Sequence, residues 1–350
     1  MTNRDHGEVM IEVDHLTRHY GPAPALQEIS FRAYRGEIVG FLGPNGAGKT
    51  TTMRILTGYL PPTSGRAFVA GHDVVTDSMA ARRSVGYLPE TTPLYPEMTV
   101  WNYLDFMARL HGVRDRDTAI ERAMSRVDLN DRADQQIGRL SKGLRQRVGI
   151  AQAVLHDPPV IILDEPTIGL DPRQIREVRS LIEELRGDHT VILSTHILPE
   201  AQQVCDRVLI INRGRLVAED TPDHLTSRLS GGQRVRLSTA PEIAAAGVRA
   251  ALGAVTGVAE VSDVGPGIYH VDLEAGLDAR PELARAVVAQ NWPLLELVPV
   301  GMSLEDIFLE LTRDAVDDGV DVDSYDEVVS LGEGDLAADD NQDEEVNLDG

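Results

Sequence analysis

Alternation of hydrophobic and polar residues predicts the elements of the first part of the chain. Residues 9–20 and 25–35 alternate with a period of two, which predicts half-buried antiparallel strands. Residues 37–42 form an apolar run that predicts a strand, and residues 43–57 predict a glycine-containing loop that enters a helix. From about 99 to 134 the spacing of apolar residues is helical, with Thr99 as the expected N-cap.

Short apolar runs and helical patterns alternate along the next part of the chain. Strands are predicted at 160–163, 190–194 and 208–211, and helices at 142–155, 173–185 and 199–205. Because strands that alternate with helices form parallel sheets, this order predicts an α/β fold with a mostly parallel sheet covered on both faces.

The pattern changes after about residue 225. Strands are predicted at 234–237, 258–264, 268–273 and 294–300, with helices at 242–252 and 281–290. This βαββαβ order is typical of a small ferredoxin-like α+β domain, which we place at 226–313 with a last helix at 303–312. Residues 314–350 hold fifteen acidic residues and no Lys or Arg, which predicts a disordered acidic tail.

Charge and composition exclude several classes of protein. The net charge is −23, and a large share of it comes from the tail, so the chain lacks the basic patch that a nucleic-acid binder needs. No apolar run reaches the roughly 18 residues of a membrane helix, and the N-terminus shows no secretory signal. The single cysteine, Cys205, is expected to be a small buried hydrophobic residue. We therefore expect a cytoplasmic protein.

The loop at 43–50 fits the pattern G-x-x-x-x-G-K-[ST] and lies between a predicted strand and a predicted helix. Its backbone N–H groups and the helix N-terminus suit the phosphates of ATP. Lys49 is expected to reach the β- and γ-phosphates as a catalytic cation, and Thr50 to ligate Mg²⁺. The predicted nucleotide-binding residues of this segment are Gly43, Pro44, Asn45, Gly46, Ala47, Gly48, Lys49, Thr50 and Thr51.

Two carboxylates follow the apolar strand at 160–163, namely Asp164 and Glu165. A carboxylate at the end of a buried strand is costly unless a metal or another partner meets it. Downstream of the phosphate-binding loop, this pattern predicts that Asp164 lies behind Mg²⁺ and that Glu165 is the general base for the attacking water.

Further segments carry a resemblance to a known family. Residues 140–147 read Leu-Ser-Lys-Gly-Leu-Arg-Gln-Arg, residues 164–171 continue from the two carboxylates, and His196 follows a third strand. Together with the phosphate-binding loop, this ordered set resembles the ATP-binding domain of ABC transporters over about residues 8–225. The resemblance implies an N-terminal antiparallel β part, a helical subdomain at about 91–155, and His196 as a catalytic residue at the γ-phosphate.

The resemblance also implies partners. In the family, two ATP-binding subunits dimerise head to tail, so that Ser141 and Gly143 of one subunit would face the ATP of the other. A homodimer is the simplest form of that arrangement. The family also implies a separately encoded integral-membrane permease, which would hold this chain at the inner face of the cell membrane.

Several positions depart from the common family pattern. Lys142 and Leu144 replace the usual residues of the signature, whose common form, Leu-Ser-Gly-Gly-Gln, occurs instead at 229–233, where we interpret it as a chance loop. Glu90 stands where glutamine is usual and is expected near Mg²⁺ and ATP. Tyr20 matches the position of an aromatic that stacks on adenine. The signature, Glu90 and the C-terminal domain together resemble the ABC-2 exporter branch, including gliding-motility-type proteins.

The sequence thus predicts the ATP-hydrolysing subunit of an ABC-2-type exporter. The alternative is a soluble ABC ATPase that acts on a non-membrane partner such as a ribosome or DNA. Such proteins usually carry two ATPase units or an inserted basic or cysteine-rich module, and this chain has one phosphate-binding loop. A P-loop small-molecule kinase would not need the signature. The residues around 94–101 form the surface that receives the permease in the family, although most of them are expected simply to pack the subdomain.

Overall fold

A computed structural model describes residues 7–222, 224–225, 234–274 and 277–300 of the chain, with the side chains of 299 and 300 left aside. The predicted helix at 303–312, the acidic segment 314–350 and the signature-like string at 229–233 lie outside the described residues. In chain order, the strands up to residue 220 are β1 (Val9–Tyr20), β2 (Ala23–Tyr34), β3 (Ile38–Leu42), β4 (Ser64–Val69), β5 (His72–Asp73), β6 (Val85–Leu88), β7 (Val160–Asp164), β8 (Thr190–Thr195), β9 (Arg207–Asn212) and β10 (Arg215–Asp220).

A six-stranded sheet in the order β10-β9-β3-β8-β7-β6 forms the centre of this part of the molecule. All neighbouring strands are parallel except β10, which pairs antiparallel with β9. Every residue of β3, β7 and β8 is buried. Because side chains of a strand alternate between faces, such strands need cover on both sides. The predicted mostly parallel α/β sheet is confirmed.

An antiparallel sheet in the order β2-β1-β4-β5 covers one face of the central sheet. Side chains of β1 and β2 share a core with Val160 and Ile162 of β7, whereas the alternate residues Ile161 and Leu163 face a second core on the opposite side. The predicted N-terminal antiparallel strands are therefore present, and they form one of the layers around the central sheet.

Helices supply most of the second core. The helices up to residue 204 are α1 (Lys49–Leu56), α2 (Ser78–Arg83), α3 (Val100–Leu110), α4 (Arg116–Arg126), α5 (Lys142–Val154), α6 (Pro172–Glu184) and α7 (Leu198–Val204). Thr99 caps α3 as predicted, because its side chain accepts a hydrogen bond from the N–H of Asn102. The helical pattern from 99 to 134 divides into α3 and α4, since Gly112 takes a φ of 68° and Asp115 caps a new helix.

The described C-terminal part contains β11 (Arg234–Thr239), α8 (Ala245–Gly253), β12 (Val258–Gly265), β13 (Ile268–Leu273), α9 (Arg280–Ala289) and β14 (Leu294–Val300). The four strands form an antiparallel sheet in the order β12-β13-β11-β14, whose core includes apolar residues of both helices. α8 begins three residues later than the sequence suggested, after a turn in which the N–H of Ile243 bonds to the carbonyl of Ala240.

No helix within the described ranges is both long and apolar enough to cross a bilayer. Cys205 lies buried beside Gly40 of β3, and burial raises the pKa of its thiol. The prediction that this thiol is a small buried group is confirmed.

Candidate nucleotide-binding site

The carboxyl ends of three neighbouring strands carry the predicted site. β8 lies between β3 and β7 in the central sheet, and all three run in the same direction. β3 leads into the loop at 43–48, β7 ends at Asp164, and β8 is followed by His196. Ligand sites of open α/β sheets form at this edge, so the topology brings together residues that lie far apart in the sequence.

The loop at 43–48 ends at Gly48, which precedes α1 with a φ of 108°. A Cβ at this position would lie 2.7 Å from the carbonyl oxygen of Ala25, so both the backbone angle and the space require glycine. Among the described residues, no side chain caps the N-terminus of α1. The first N–H groups of this helix are therefore available to a ligand, and a phosphate suits them.

Lys49, the first residue of α1, is 7% exposed. Its Nζ donates to the carbonyl oxygens of Gly43 and Pro44, at 2.8 and 3.2 Å, and lies 3.6 Å from Oε1 of Glu165. The ammonium group thus connects the phosphate-binding loop with the carboxylate at the end of β7. A cation in this position can hold phosphate oxygens next to that carboxylate.

Glu165 is 5% exposed and has a φ of 50°, a left-handed backbone conformation that a residue with a side chain rarely adopts. Its N–H donates to the carbonyl oxygen of Ser194 at 3.0 Å, which fixes it to β8. Oε2 lies 2.9 Å from Nδ1 of His196. Since a carboxylate only accepts, Nδ1 carries the proton of this bond, and Nε2 of the imidazole remains for a ligand.

Asp164 is completely buried. Its Oδ1 accepts a hydrogen bond from the Ser194 hydroxyl at 2.7 Å. Burial raises the pKa of the Asp164 carboxyl, while hydrogen bonds from Ser194 and Thr50 and the charge of Lys49 act in the opposite direction. Oδ2 is buried and has no hydrogen-bond partner among the described residues. One free carboxylate oxygen beside a threonine hydroxyl fits Mg²⁺, which prefers few protein oxygens and completes its shell with phosphates and water.

Ser141 is the N-cap of α5, as its pattern predicted, and its side chain accepts from the N–H of Leu144 at 3.3 Å. Gly143 lies against the side-chain amide of Gln174 in α6, and Nζ of Lys142 lies against Gly169. Within the described ranges, no hydrogen bond or ion pair links Ser141 to the loop at 43–48. The polar contacts within the described ranges therefore do not join the signature to the phosphate-binding loop of the same chain.

Two further predicted residues lie at the borders of the site. Tyr20 ends β1, is partly exposed, and has the guanidinium of Arg18 5.1 Å from its ring centroid. Glu90 follows β6 and is exposed. No hydrogen bond or ion pair joins Glu90 to Asp164 or Glu165 in the part of the chain that the structure describes, so its expected place beside the metal has no support from these contacts.

The sequence did not indicate a buried hydrogen bond beside the site. The hydroxyl of Thr167 donates to Oε2 of Glu200 at 2.6 Å, and both residues are buried. Thr167 lies two residues after Glu165, and Glu200 lies four residues after His196. The only signal in the sequence was an acidic residue in an otherwise apolar first turn of α7.

Comparison with known proteins finds matches that belong to one family. The family model described as ABC transporter matches residues 26–168. The chain is 34% identical to an uncharacterised ABC transporter ATP-binding protein, YdbJ of Bacillus subtilis, over 89% of this chain and 98% of the relative. It is also 34% identical to the daunorubicin resistance ATP-binding protein DrrA3 of Streptomyces coeruleorubidus, over 88% of this chain and 97% of the relative.

A dimeric bacterial ABC transporter cassette, MJ0796, has a similar structure, with a TM-score of 0.56 and 25% identity over 61% of this chain and 98% of that one. The family model covers the phosphate-binding loop and the carboxylates at the end of β7, and the two relatives match 89% and 88% of the chain. The chain belongs to the family of ABC transporter ATP-binding proteins.

Proposed function

We propose that this chain is the ATP-hydrolysing subunit of an ABC-2-type exporter and drives a permease encoded separately. The observation that carries the proposal is the contact of Lys49 and His196 with the same carboxylate, Glu165, at distances of 3.6 and 2.9 Å. A phosphate-binding cation, a carboxylate base and a histidine at one edge of the sheet are the groups that phosphoryl transfer to water requires.

In the proposed reaction, a water molecule attacks the γ-phosphorus of ATP and the bond from that phosphorus to the β-phosphate oxygen breaks. Glu165 accepts the proton of the water, and ADP and inorganic phosphate leave. Lys49 balances the charge of the phosphate oxygens. His196 donates through Nδ1 to Glu165, which orients the carboxylate. When the imidazole also carries a proton on Nε2, this second N–H can donate to an oxygen of the γ-phosphate.

Thr50 and Asp164 would hold Mg²⁺, and Oδ2 of Asp164 is buried with no hydrogen-bond partner among the described residues. When bound, the metal would neutralise negative charge on the phosphate oxygens. The role of this chain's residues is to keep the donor atoms in place: Ser194 fixes Oδ1 of Asp164 and thereby directs Oδ2.

A second copy of the chain is the proposed partner across the nucleotide. Ser141 caps α5 with its hydroxyl directed at the first turn, so a hydroxyl, backbone N–H groups and the positive end of a helix are grouped at one point. Such a group suits a γ-phosphate. The dimeric form of the similar cassette supports a pair of chains. We propose that the two chains pair head to tail, so that Ser141 and Gly143 complete the partner's site.

The remaining assignments follow from the family and the fold. The drug-resistance name of one relative supports export as the direction of transport. A permease partner would place the chain at the inner face of the membrane, where ATP is available. We assign residues 8–225 to the ATP-binding domain and 226–313 to a ferredoxin-like domain, because the described strands and helices follow the order βαββαβ and the sheet order is β12-β13-β11-β14.

Co-purification followed by reconstitution tests the proposal. The tagged full-length chain is captured from detergent-solubilised membranes of its own cells, and a co-purifying polytopic membrane protein is reconstituted with it in liposomes. We expect this protein to raise the rate of phosphate release, with no acceptor other than water. Lys49→Ala is the control that should retain the permease but lose hydrolysis. Recovery of ribosomal or DNA-associated proteins alone would instead favour the soluble ABC ATPase.

A further inference from the structure

Glu200 is a buried carboxylate that the proposed reaction does not use. It is 4% exposed, although it lies in the first turn of α7, where a glutamate usually faces solvent or caps the helix. In the part of the chain that the structure describes, no side chain caps α7, so Glu200 does not have that role. Burial raises the pKa of its carboxyl, and the Thr167 hydroxyl and the charge of Arg179 act against the rise. Because burial of a carboxylate costs free energy, the position of Glu200 calls for an explanation other than helix stability.

The hydrogen bond from Thr167 to Glu200 connects the two loops that carry the reacting groups. Thr167 belongs to the turn after β7 in which the N–H of Ile168 bonds to the carbonyl of Glu165, at 3.2 Å. Glu200 belongs to the helix that follows His196, and its own N–H bonds to the carbonyl of Ile197. The 2.6 Å bond between their side chains therefore joins the same two segments as the 2.9 Å contact of Glu165 with His196, a few residues further along each segment.

We propose that Thr167 and Glu200 form a positioning pair that holds the loop of Glu165 against the loop of His196. The inference rests on the proposed role of Glu165 as the general base. Neither residue touches the reacting atoms in this scheme. Their bond adds a direct link between the two loops to the backbone contacts between β7 and β8, the hydrogen bond from Ser194 to Asp164 and the contact of Glu165 with His196.

The backbone conformation of Glu165 explains why such a positioning pair is needed. With a φ of 50°, this residue is in a conformation that persists only where the surroundings enforce it. One residue, Pro166, separates it from Thr167, so a displacement of Thr167 is transmitted directly to the carboxylate. In a site of this kind, a shift of about 1 Å can lower the rate by about a hundredfold.

Steady-state ATP hydrolysis by the full-length chain tests the pair. Thr167→Val keeps the shape of the side chain and removes the hydroxyl, and we expect kcat to fall by at least about tenfold with KM for ATP changed by less than about threefold. Thr167→Ser keeps the hydroxyl and should retain at least about a third of wild-type kcat. Glu200→Met in the Thr167→Val background should lower kcat by less than about twofold further, because both substitutions remove the same contact.

Thr190→Val is the matched control. Thr190 is equally buried, makes hydrogen bonds through its hydroxyl, and lies at the opposite end of β8 from His196. This variant should lose thermal stability but keep kcat, which separates destabilisation from positioning. Each variant is also titrated with an ATP analogue to confirm a folded binding site.

The outcomes are distinct. Wild-type kcat in Thr167→Val, or equal losses in Thr167→Val and Thr167→Ser, would overturn the positioning pair. If Glu165→Gln itself retains turnover, the proposed base is wrong, whatever the Thr167 variants show. A Thr167→Val effect confined to KM would also overturn the inference, because a pair that positions the base acts on the chemical step.

Discussion

Nζ of Lys49 lies 3.6 Å from Oε1 of Glu165, and each side chain is only 7% exposed. Removing one member of a buried ion pair usually destabilises a protein, because the other charge is left without compensation. Here Nζ also donates to two backbone carbonyls of the phosphate-binding loop, so Lys49 has other partners. Glutamine in place of Glu165 can therefore retain a folded loop while the base is lost.

Glu165→Gln is expected to bind ATP with an affinity near that of the wild type and to hydrolyse it at least about a hundredfold more slowly, since an amide cannot accept the proton of water. The variant should also accumulate as an ATP-bound dimer that elutes earlier from a size-exclusion column. Phosphate release and elution volume are the two measurements. Turnover within about threefold of the wild type would contradict the assignment of the base.

Ser141→Ala should lower ATP hydrolysis at least about tenfold, because it removes both the cap of α5 and the hydroxyl proposed to face the partner's γ-phosphate. Ser230→Ala in the string at 229–233 is the matched control and should retain activity. The steady-state rates of both purified variants provide the test. A severe loss in Ser230→Ala, with little effect of Ser141→Ala, would place the signature at the second string.

Removal of residues 314–350 should leave both basal ATP hydrolysis and the melting temperature near their wild-type values, because a strongly acidic run with few aromatic residues buries little surface. Differential scanning calorimetry and phosphate release on the truncated chain test this expectation. Aggregation of the truncated protein, or a large drop in its melting temperature, would show that the segment contributes to the fold. Salt-dependent membrane association that disappears on truncation would indicate a binding role instead.

Glu90→Gln should remain folded and bind ATP, because Glu90 is exposed and its side chain has no ion pair in the described part of the chain. If its carboxylate approaches the metal when permease and ATP are bound, the variant needs more Mg²⁺ for half-maximal hydrolysis. Its pH–rate curve then loses part of its acidic limb. Superimposable Mg²⁺ titrations and pH–rate curves, recorded with the permease present, would show that Glu90 stays outside the metal shell.

Stacked histidines predict an acid-sensitive fold. The ring centroids of His111 and His156 lie 3.9 Å apart, and the angle between the two ring planes is 12°. Burial lowers the pKa of His156 to about 4. The unfolded chain therefore takes up a proton near pH 6.5 that the folded chain takes up only near pH 4. Stability is lost as the pH falls through this window, by up to about 3 kcal/mol. Urea unfolding of the wild type and of His156→Gln at pH 7 and pH 5 measures it, and equal losses in both would contradict the assignment.

The strongest patterns in the sequence predicted the central sheet and the segments that carry the candidate site. β7 was predictable because four consecutive apolar residues precede Asp164, and Ser141 was predictable as an N-cap because a helical pattern follows it. β10 was not predicted, because it is an edge strand whose side chains are all at least partly exposed. β6 was not predicted either, because it is only four residues long and contains a glycine.

The hydrogen bond between Thr167 and Glu200 could not be predicted at all. It joins residues separated by 33 positions, and its existence depends on the neighbouring positions of β7 and β8 in the sheet. A glutamate in a first helical turn is an ordinary surface feature, so the pattern alone favoured a solvated side chain. Burial, which only the fold provides, turned it into a contact beside the site.

The positive φ of Glu165 has a consequence for the evolution and engineering of this chain. Glycine would relieve the left-handed backbone, but Glu165→Gly would also remove the carboxylate partner of the buried Lys49 ammonium and of His196. The strained backbone is therefore retained for the carboxylate and not for stability, and a screen for thermal tolerance alone does not protect the general base. Thermostabilisation of this protein has to be coupled to selection for turnover, or residue 165 has to be held fixed.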